Sequence, residues 1–327
     1  MEKLRVGVLS TGNIAATMAE TLRCMEDVEL YAVASRCQEK ADAFAEKYGF
    51  EKAFSTYEEM AADEKVDLVY VATPISEHCS HVKMLLENGR NVLCEKAFAV
   101  NAREAEEMTA LSKEKGLLLA EAMWVRYMPM ARTLQEVLAS GAIGTPYTLT
   151  ANLGYLLESV PRMMKPELAG GALLDVGVYT LTFASIAFGD DISSIDTSVI
   201  MTDTGVDAQS SITISYPDGK MSVLNSSLRA LSDRQGIIYG TKGFLVVENI
   251  NNFESITVYN EKREVTARYD QPKQISGYEY EVRACKKAIE EGMCECPDMP
   301  HSETIRIMEQ MDAVREKWGL HYPMEKK

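Results

Sequence analysis

Between Leu4 and about Met123, short β-rich apolar runs alternate with longer segments of helical period, and that alternation restricts the fold more than any other feature. Parallel strands need a long crossover, usually a helix, so repeated strand–helix units close as a parallel sheet. Strands are expected at residues 5–10, 29–35, 67–73, 91–95 and 117–121. Each is rich in Val, Leu, Ile or Ala, as strands covered on both faces should be. Between them, 39–48, 76–88 and 102–115 read as amphipathic crossover helices ended by Gly49, Gly89 and Gly116.

After Trp124 the pattern changes to a helix over 130–140, a strand, another helix, and then consecutive strands with no helix between them. Here the sheet should be largely antiparallel. Residues 212–216 and 221–228 alternate apolar and polar side chains across Pro217-Asp218-Gly219, a hairpin signal. Further strands are expected at 235–240, 244–248 and 255–259, and closing helices at 278–291 and 302–317. A chain of 327 residues exceeds what one core usually organises. The expected fold class is therefore α/β, with a doubly wound parallel sheet of Rossmann type over 1–123 and an α+β domain over 124–327.

Composition narrows the partners. A formal net charge of −15 repels a phosphate backbone, and no run of Lys or Arg offsets it, so nucleic-acid binding is not expected. The longest apolar stretch, 172–189, contains Asp175 and Tyr179 and reads as a buried helix, not a membrane span. Met1 to Arg5 run straight into a strand, leaving no room for a leader, and seven scattered cysteines suit reduced thiols, so a cytoplasmic location is expected. Cys294 and Cys296 lack a second Cys/His pair at zinc spacing, and the four histidines form no His/Glu pair on one helix face. No metal is expected.

Chemistry concentrates where strands end. The first strand runs into Ser10-Thr11-Gly12-Asn13-Ile14-Ala15, the dinucleotide fingerprint G-x-G-x-x-G/A with Ser10 in place of the first glycine. Gly12 would let the backbone approach a pyrophosphate held by amides at the next helix start. A plain strand-to-helix turn is the other reading. Where NAD enzymes place an acid on the ribose 2′-hydroxyl, this chain has Ser35-Arg36, a pair suited to a 2′-phosphate, which favours NADP over NAD. A solvated arginine is the alternative. Thr73-Pro74 and Glu95-Lys96 fall at the carboxyl edge of the sheet and should face the cofactor. A second cluster is the stretch from Gly170 to Tyr179, where helical spacing would project Asp175 and Tyr179 from one face; a cap and a satisfied core aromatic, the commoner fate of such pairs, is the other reading.

These motifs, in this order, resemble the glucose-fructose oxidoreductase, inositol dehydrogenase and MocA oxidoreductase family over essentially the whole chain. Gly12-Asn13-Ile14-Ala15, Ala72-Thr73-Pro74 with His78 beyond, Cys94-Glu95-Lys96 and the Gly170-Gly171 to Tyr179 stretch all correspond. The segment Glu121 to Pro129 looks most like the branch of dimeric dihydrodiol dehydrogenases and NADP-linked aldose dehydrogenases. The resemblance implies a sugar, polyol or diol substrate, and a large C-terminal sheet that assembles homodimers or homotetramers. It also implies a catalytic group of Lys96, Asp175 and Tyr179, the last where many relatives carry histidine. Two departures stand out: Ser10, and Ala97 where the family usually has proline.

The expected chemistry is hydride transfer between nicotinamide C4 and a carbinol carbon, coupled to proton transfer by Tyr179, with Lys96 as its cation and Asp175 orienting the substrate. Trp124, Arg126 and Tyr155 would supply substrate walls, Trp124 and Arg126 also touching cofactor, or else serve as packing residues between domains. His78 is expected at a helix start near the cofactor, or in a structural hydrogen bond. Two other functions fit the resemblance: a dinucleotide-binding sensor without turnover, against which the retained triad argues, and an NAD-dependent glycosidase, against which Ser35-Arg36 argues.

Overall fold

The computed structural model describes residues 3–325, which fall into two compact units. One holds the chain up to Tyr127 together with Gln274–Ile305; the other holds Met128–Lys273 and the chain from Arg306 onward.

In the first unit the strands are β1 (Leu4–Leu9), β2 (Val28–Ala34), β3 (Lys52–Phe54), β4 (Leu68–Val71), β5 (Asn91–Glu95) and β6 (Leu119–Ala122). All pair in parallel, in the order β3-β2-β1-β4-β5-β6. This is the doubly wound sheet expected, with its switch point between β1 and β4. Val8, Leu9, Leu68, Val69, Val92 and Leu93 are wholly buried, each contributing roughly 1.5–3 kcal/mol. Crossovers are made by α1 (Asn13–Arg23), α2 (Gln38–Tyr48), α3 (Tyr57–Ala62), α4 (Ile75–Glu87) and α5 (Ala102–Lys115). Asn101 caps α5 by accepting the Glu104 amide at 3.0 Å, and Gly116 closes it in the left-handed conformation. β3 and α3 are additions to the expected list. At three and six residues they are too short to show a period.

The break expected after Met123 is displaced. The first unit recruits α8 (Glu279–Glu290) and the beginning of α9 (His301–Trp318), which the sequence reading assigned to the second domain. The cause is the β6 edge: the Leu119 amide donates to Cys294 O at 3.0 Å and His301 Nε2 lies 2.7 Å from Leu119 O. An uncovered edge strand would expose these backbone groups.

The second unit contains α6 (Pro129–Ala139), a π-helical turn at Leu173–Gly177 and α7 (Val178–Phe188). Its strands are β7 (Pro146–Gly154), β8 (Ser194–Met201), β9 (Asp207–Ser215), β10 (Met221–Ser227), β11 (Gly236–Gly240), β12 (Gly243–Glu248), β13 (Ser255–Asn260) and β14 (Val265–Asp270). They form one sheet in the order β14-β13-β12-β11-β7-β10-β9-β8, antiparallel except for β7 and β10. The expected hairpin is β9–β10, with Met221 opposite Ser215. The apolar stretch ending in α7 is long enough to cross a membrane, yet 94% of it is buried inside the protein, as a core helix should be. α7 covers the face bearing Leu149, Ala151 and Leu224. On the opposite face Thr148, Thr150, Ser211, Thr213, Val223 and Asn225 alternate outward, uncharged and at most half-buried.

Candidate active site

The turn from β1 to α1 consists of Ser10, Thr11 and Gly12. No side chain caps α1 and its first turn holds no acid, so the leading amides are available to an anion. A Cβ on exposed Gly12 would meet only Ser10 Oγ, at 3.6 Å. Asn13 is exposed and Thr11 and Ile14 are half-buried, so the cradle stays open. The residue with left-handed backbone is Ser10, φ 113°, whose Oγ accepts the Gly12 amide at 3.3 Å. These features fit a dinucleotide pyrophosphate.

At the end of β2, Ser35 is buried and its amide donates to Phe54 O at 3.1 Å, whereas Arg36 is exposed. Arg36 lies near Tyr57, the first residue of α3, where its charge opposes the burial that raises the Tyr57 pKa. The Tyr57 ring meets the His81 imidazole edge-on at 4.9 Å, and His81 Nδ1 lies 3.0 Å from Thr73 Oγ1. Thr73, two residues past the end of β4, thus holds His81. Burial keeps His81 below the ordinary histidine pKa. Tyr57 and His81 escaped the sequence reading: only the fold brings α3 and α4 to the end of β2.

Pro74 is half-buried and opens α4. His78 is a tie between loops: Nδ1 lies 3.0 Å from Ala97 O and 3.3 Å from Phe98 O, and Nε2 lies 2.9 Å from Thr73 O. Burial pushes it to about 4 against those three carbonyls, so it is neutral near pH 7. The structural hydrogen bonds expected as one reading of His78 are thus present.

Glu95 ends β5 pointing inward. It accepts the Tyr70 hydroxyl and, at 3.2 Å, the Lys96 amide. Lys96 itself is half-buried, and the Lys96–Ala97 peptide is cis. Behind Glu95, the carboxyl oxygens of fully buried Glu281 on α8 have no hydrogen-bond partner, and burial followed by the Glu95 charge raises its pKa well above the usual range. Burial also pushes Glu121 on β6 up to about 7, against Thr304 and Arg126.

Two expected wall residues lie within the first unit's own packing. Trp124 stacks on Tyr278 with ring centroids 4.3 Å apart, and Arg126 pairs with Glu303 at 2.8 Å with both side chains largely buried. The Arg126 guanidinium is thereby tied to a carboxylate of its own unit. In the second unit, half-buried Tyr155 receives the Asn251 amide at 3.1 Å and lies 5.9 Å beneath the Arg234 guanidinium.

Gly170 and Gly171 begin the stretch that carries Asp175 and Tyr179. A Cβ on Gly170 would stand 2.5 Å from Met163 O, and one on Gly171, φ 120°, would run into Asp207 Oδ1. The segment then widens into the π turn, closed by the Val178 amide on Leu173 O, instead of the plain α-helix expected. Such turns recur at functional sites. Asp175 is nearly buried and accepts Arg162 Nη2 at 3.0 Å; Tyr179 follows in the first turn of α7, also nearly buried. Arg162 and Asp207 gave no signal in the sequence. Among the described residues, no group of three or more His, Cys, Asp or Glu side chains is placed to hold a metal ion.

Residues 4–123 match the family model described as oxidoreductase family, NAD-binding Rossmann fold, and residues 131–246 match the GFO/IDH/MocA C-terminal domain. The trans-1,2-dihydrobenzene-1,2-diol dehydrogenase of Xenopus laevis is 32% identical over 97% of this chain and 98% of its own. The chain belongs to the GFO/IDH/MocA oxidoreductase family. The human relative of the same name is 31% identical over 99% of both chains. Among solved GFO/IDH/MocA-like folds, a 3-ketoreductase from Actinomadura kijaniata in complex with NADP and TDP-benzene superposes with a TM-score of 0.88 at 24% identity, covering 96% of this chain and 98% of that one. An aldose-aldose oxidoreductase from Caulobacter crescentus complexed with glycerol gives 0.88 at 20% identity, covering 98% and 99%. Both show the fold that this GFO/IDH/MocA protein shares.

Proposed function

We propose that this oxidoreductase is NADP(H)-dependent and acts at the carbinol or carbonyl carbon of a sugar, polyol or diol. The observation that carries the reading is the carboxyl edge of the first sheet: an uncapped α1 after β1, the Arg36 guanidinium after β2 and the Lys96 ammonium after β5. Those three strand ends supply an amide cradle, a cation suited to a 2′-phosphate and a cation for the reacting oxygen. The relatives named as dihydrodiol dehydrogenases support the substrate class.

Bound NADP(H) would supply or accept the hydride. Tyr179 gives a proton to the substrate oxygen in reduction and takes it back in oxidation. A free tyrosine titrates at about 10, so the phenol needs a cation, the role assigned to Lys96. Asp175, itself held by Arg162, orients a substrate hydroxyl. The outer face of the second unit's sheet, uncharged across its central strands β7, β10 and β9, is the surface assigned to a homodimer or homotetramer, and seven free thiols suit a reducing cytoplasm.

NADPH consumption with aldoses, diketones and diols tests the activity. Lys96→Met should lose about 10²- to 10⁴-fold in turnover while binding NADPH as before. Wild-type turnover in that variant would remove Lys96 from the mechanism. Quenching of NADPH fluorescence without consumption would instead mark a sensor, and glycoside cleavage without net cofactor change a glycosidase.

A further inference from the structure

Asp207, the first residue of β9, is fully buried in the second unit, and its carboxylate faces the start of the segment that carries Asp175 and Tyr179. Its Oδ2 accepts the Leu173 amide at 2.7 Å, and Gly171 passes so near Oδ1 that no side chain fits between them. One residue upstream, Gly170 O accepts the Tyr322 hydroxyl at 2.8 Å. Tyr322 is fixed in turn by Glu325, which accepts its amide at 2.8 Å and pairs with Arg315 at 2.8 Å. Asp207 Oδ1 has no hydrogen-bond partner, so its burial is costly, and a neutral side chain would be cheaper to hide.

We propose that Asp207 is a positioning residue whose negative charge seats the amino end of the π turn and thereby sets the aim of Asp175 and Tyr179. The inference rests on the reading that those two residues are catalytic. A carboxylate binds helix-leading amides more tightly than a carboxylic acid does. The charged or titratable groups facing it are Arg315 from α9 and Tyr322 from the C-terminal segment. Burial pushes Asp207 up to about 6, against the amides of Leu173, Asp207 and Ala172 and the Arg315 charge. Fold and seat therefore pull in opposite directions. A raised carboxyl pKa means that protonation stabilises the fold and that this contribution is lost as pH rises through about 6, whereas the seat is firm only above it.

This opposition gives a test that a merely structural role fails. Asp207→Asn in the full chain should melt no lower than wild type at about pH 8, yet lose about 10- to 100-fold in kcat, since misplacement of reacting groups is costly. NADPH affinity should stay within about twofold, because the cradle lies in the other unit. Wild-type kcat should fall as pH drops through about 6, and the variant should lack that limb. Wild-type kcat in Asp207→Asn, or a parallel loss of kcat, NADPH affinity and melting temperature, would overturn the proposal. Amide hydrogen exchange at 172–175, measured beside a Tyr179→Phe variant, separates the two layers. Wild-type turnover in Tyr179→Phe overturns the catalytic reading, while wild-type exchange in Asp207→Asn overturns the seat.

Discussion

Arg36 shows how far a single residue can be read. Its place after β2 was legible because the second strand and its end are legible, but its company was not. Tyr57 and His81 come from α3 and α4, and no local spacing places them beside it. Arg36→Ala should raise the KM for NADPH about 10- to 100-fold, the worth of a charge-assisted contact, and leave the KM for NADH nearly unchanged. Equal effects on both cofactors in steady-state kinetics would refute that assignment. Ser10 was legible as a departure from the fingerprint, though its φ of 113° was not. Ser10→Gly should stabilise the chain by about 1 kcal/mol in urea unfolding, since a side chain in that backbone region is strained. Glu121, by contrast, sits mid-strand and looks like any polar neighbour. With its pKa raised from the ordinary value to about 7, it stabilises the fold fully below about pH 4.5, and that stability is lost as pH rises through 7. Glu121→Gln should flatten this slope and raise stability at pH 8 by on the order of 3 kcal/mol; an unchanged pH–stability curve would contradict it.

Elements were legible in proportion to their length and period. The hairpin over β9 and β10 and the helix α5 stand where alternation, an amphipathic period and a terminal glycine put them. β8 and β14 were not foreseen. β14 is almost wholly exposed, so it carries no buried alternation to read. The π turn was invisible for another reason: it is imposed by packing, between Gly177, which has Leu173 and Ser226 close by, and the amides that Asp207 receives. Gly171→Ala should destabilise the second unit by more than about 2 kcal/mol, because a methyl group there meets Asp207 and a φ of 120° at once. A melting temperature equal to wild type would show that the junction yields more easily than this geometry allows.

For the molecule as a whole, the strand–helix alternation was enough to specify the first sheet, and the loss of that alternation after Trp124 was enough to specify a second. The division between units was not legible, because the segment 274–305 is helical on its own terms and only the bare β6 edge explains where it goes. Assembly belongs to this scale too. Val223→Lys on the outer sheet face should shift a dimer or tetramer to monomer in sedimentation velocity while leaving NADPH binding intact. An unchanged sedimentation coefficient would assign the oligomer to another surface. The split composition of the first unit also bears on its synthesis. A ribosome must translate on past residue 301 before Cys294 and His301 can both cover the edge of the sheet that Leu4 began. A truncated gene ending at Tyr127 would therefore release a half-built cofactor module with an unpaired edge, prone to stick to its copies, and the two halves of this enzyme cannot be cloned apart at the point where their sequence patterns change.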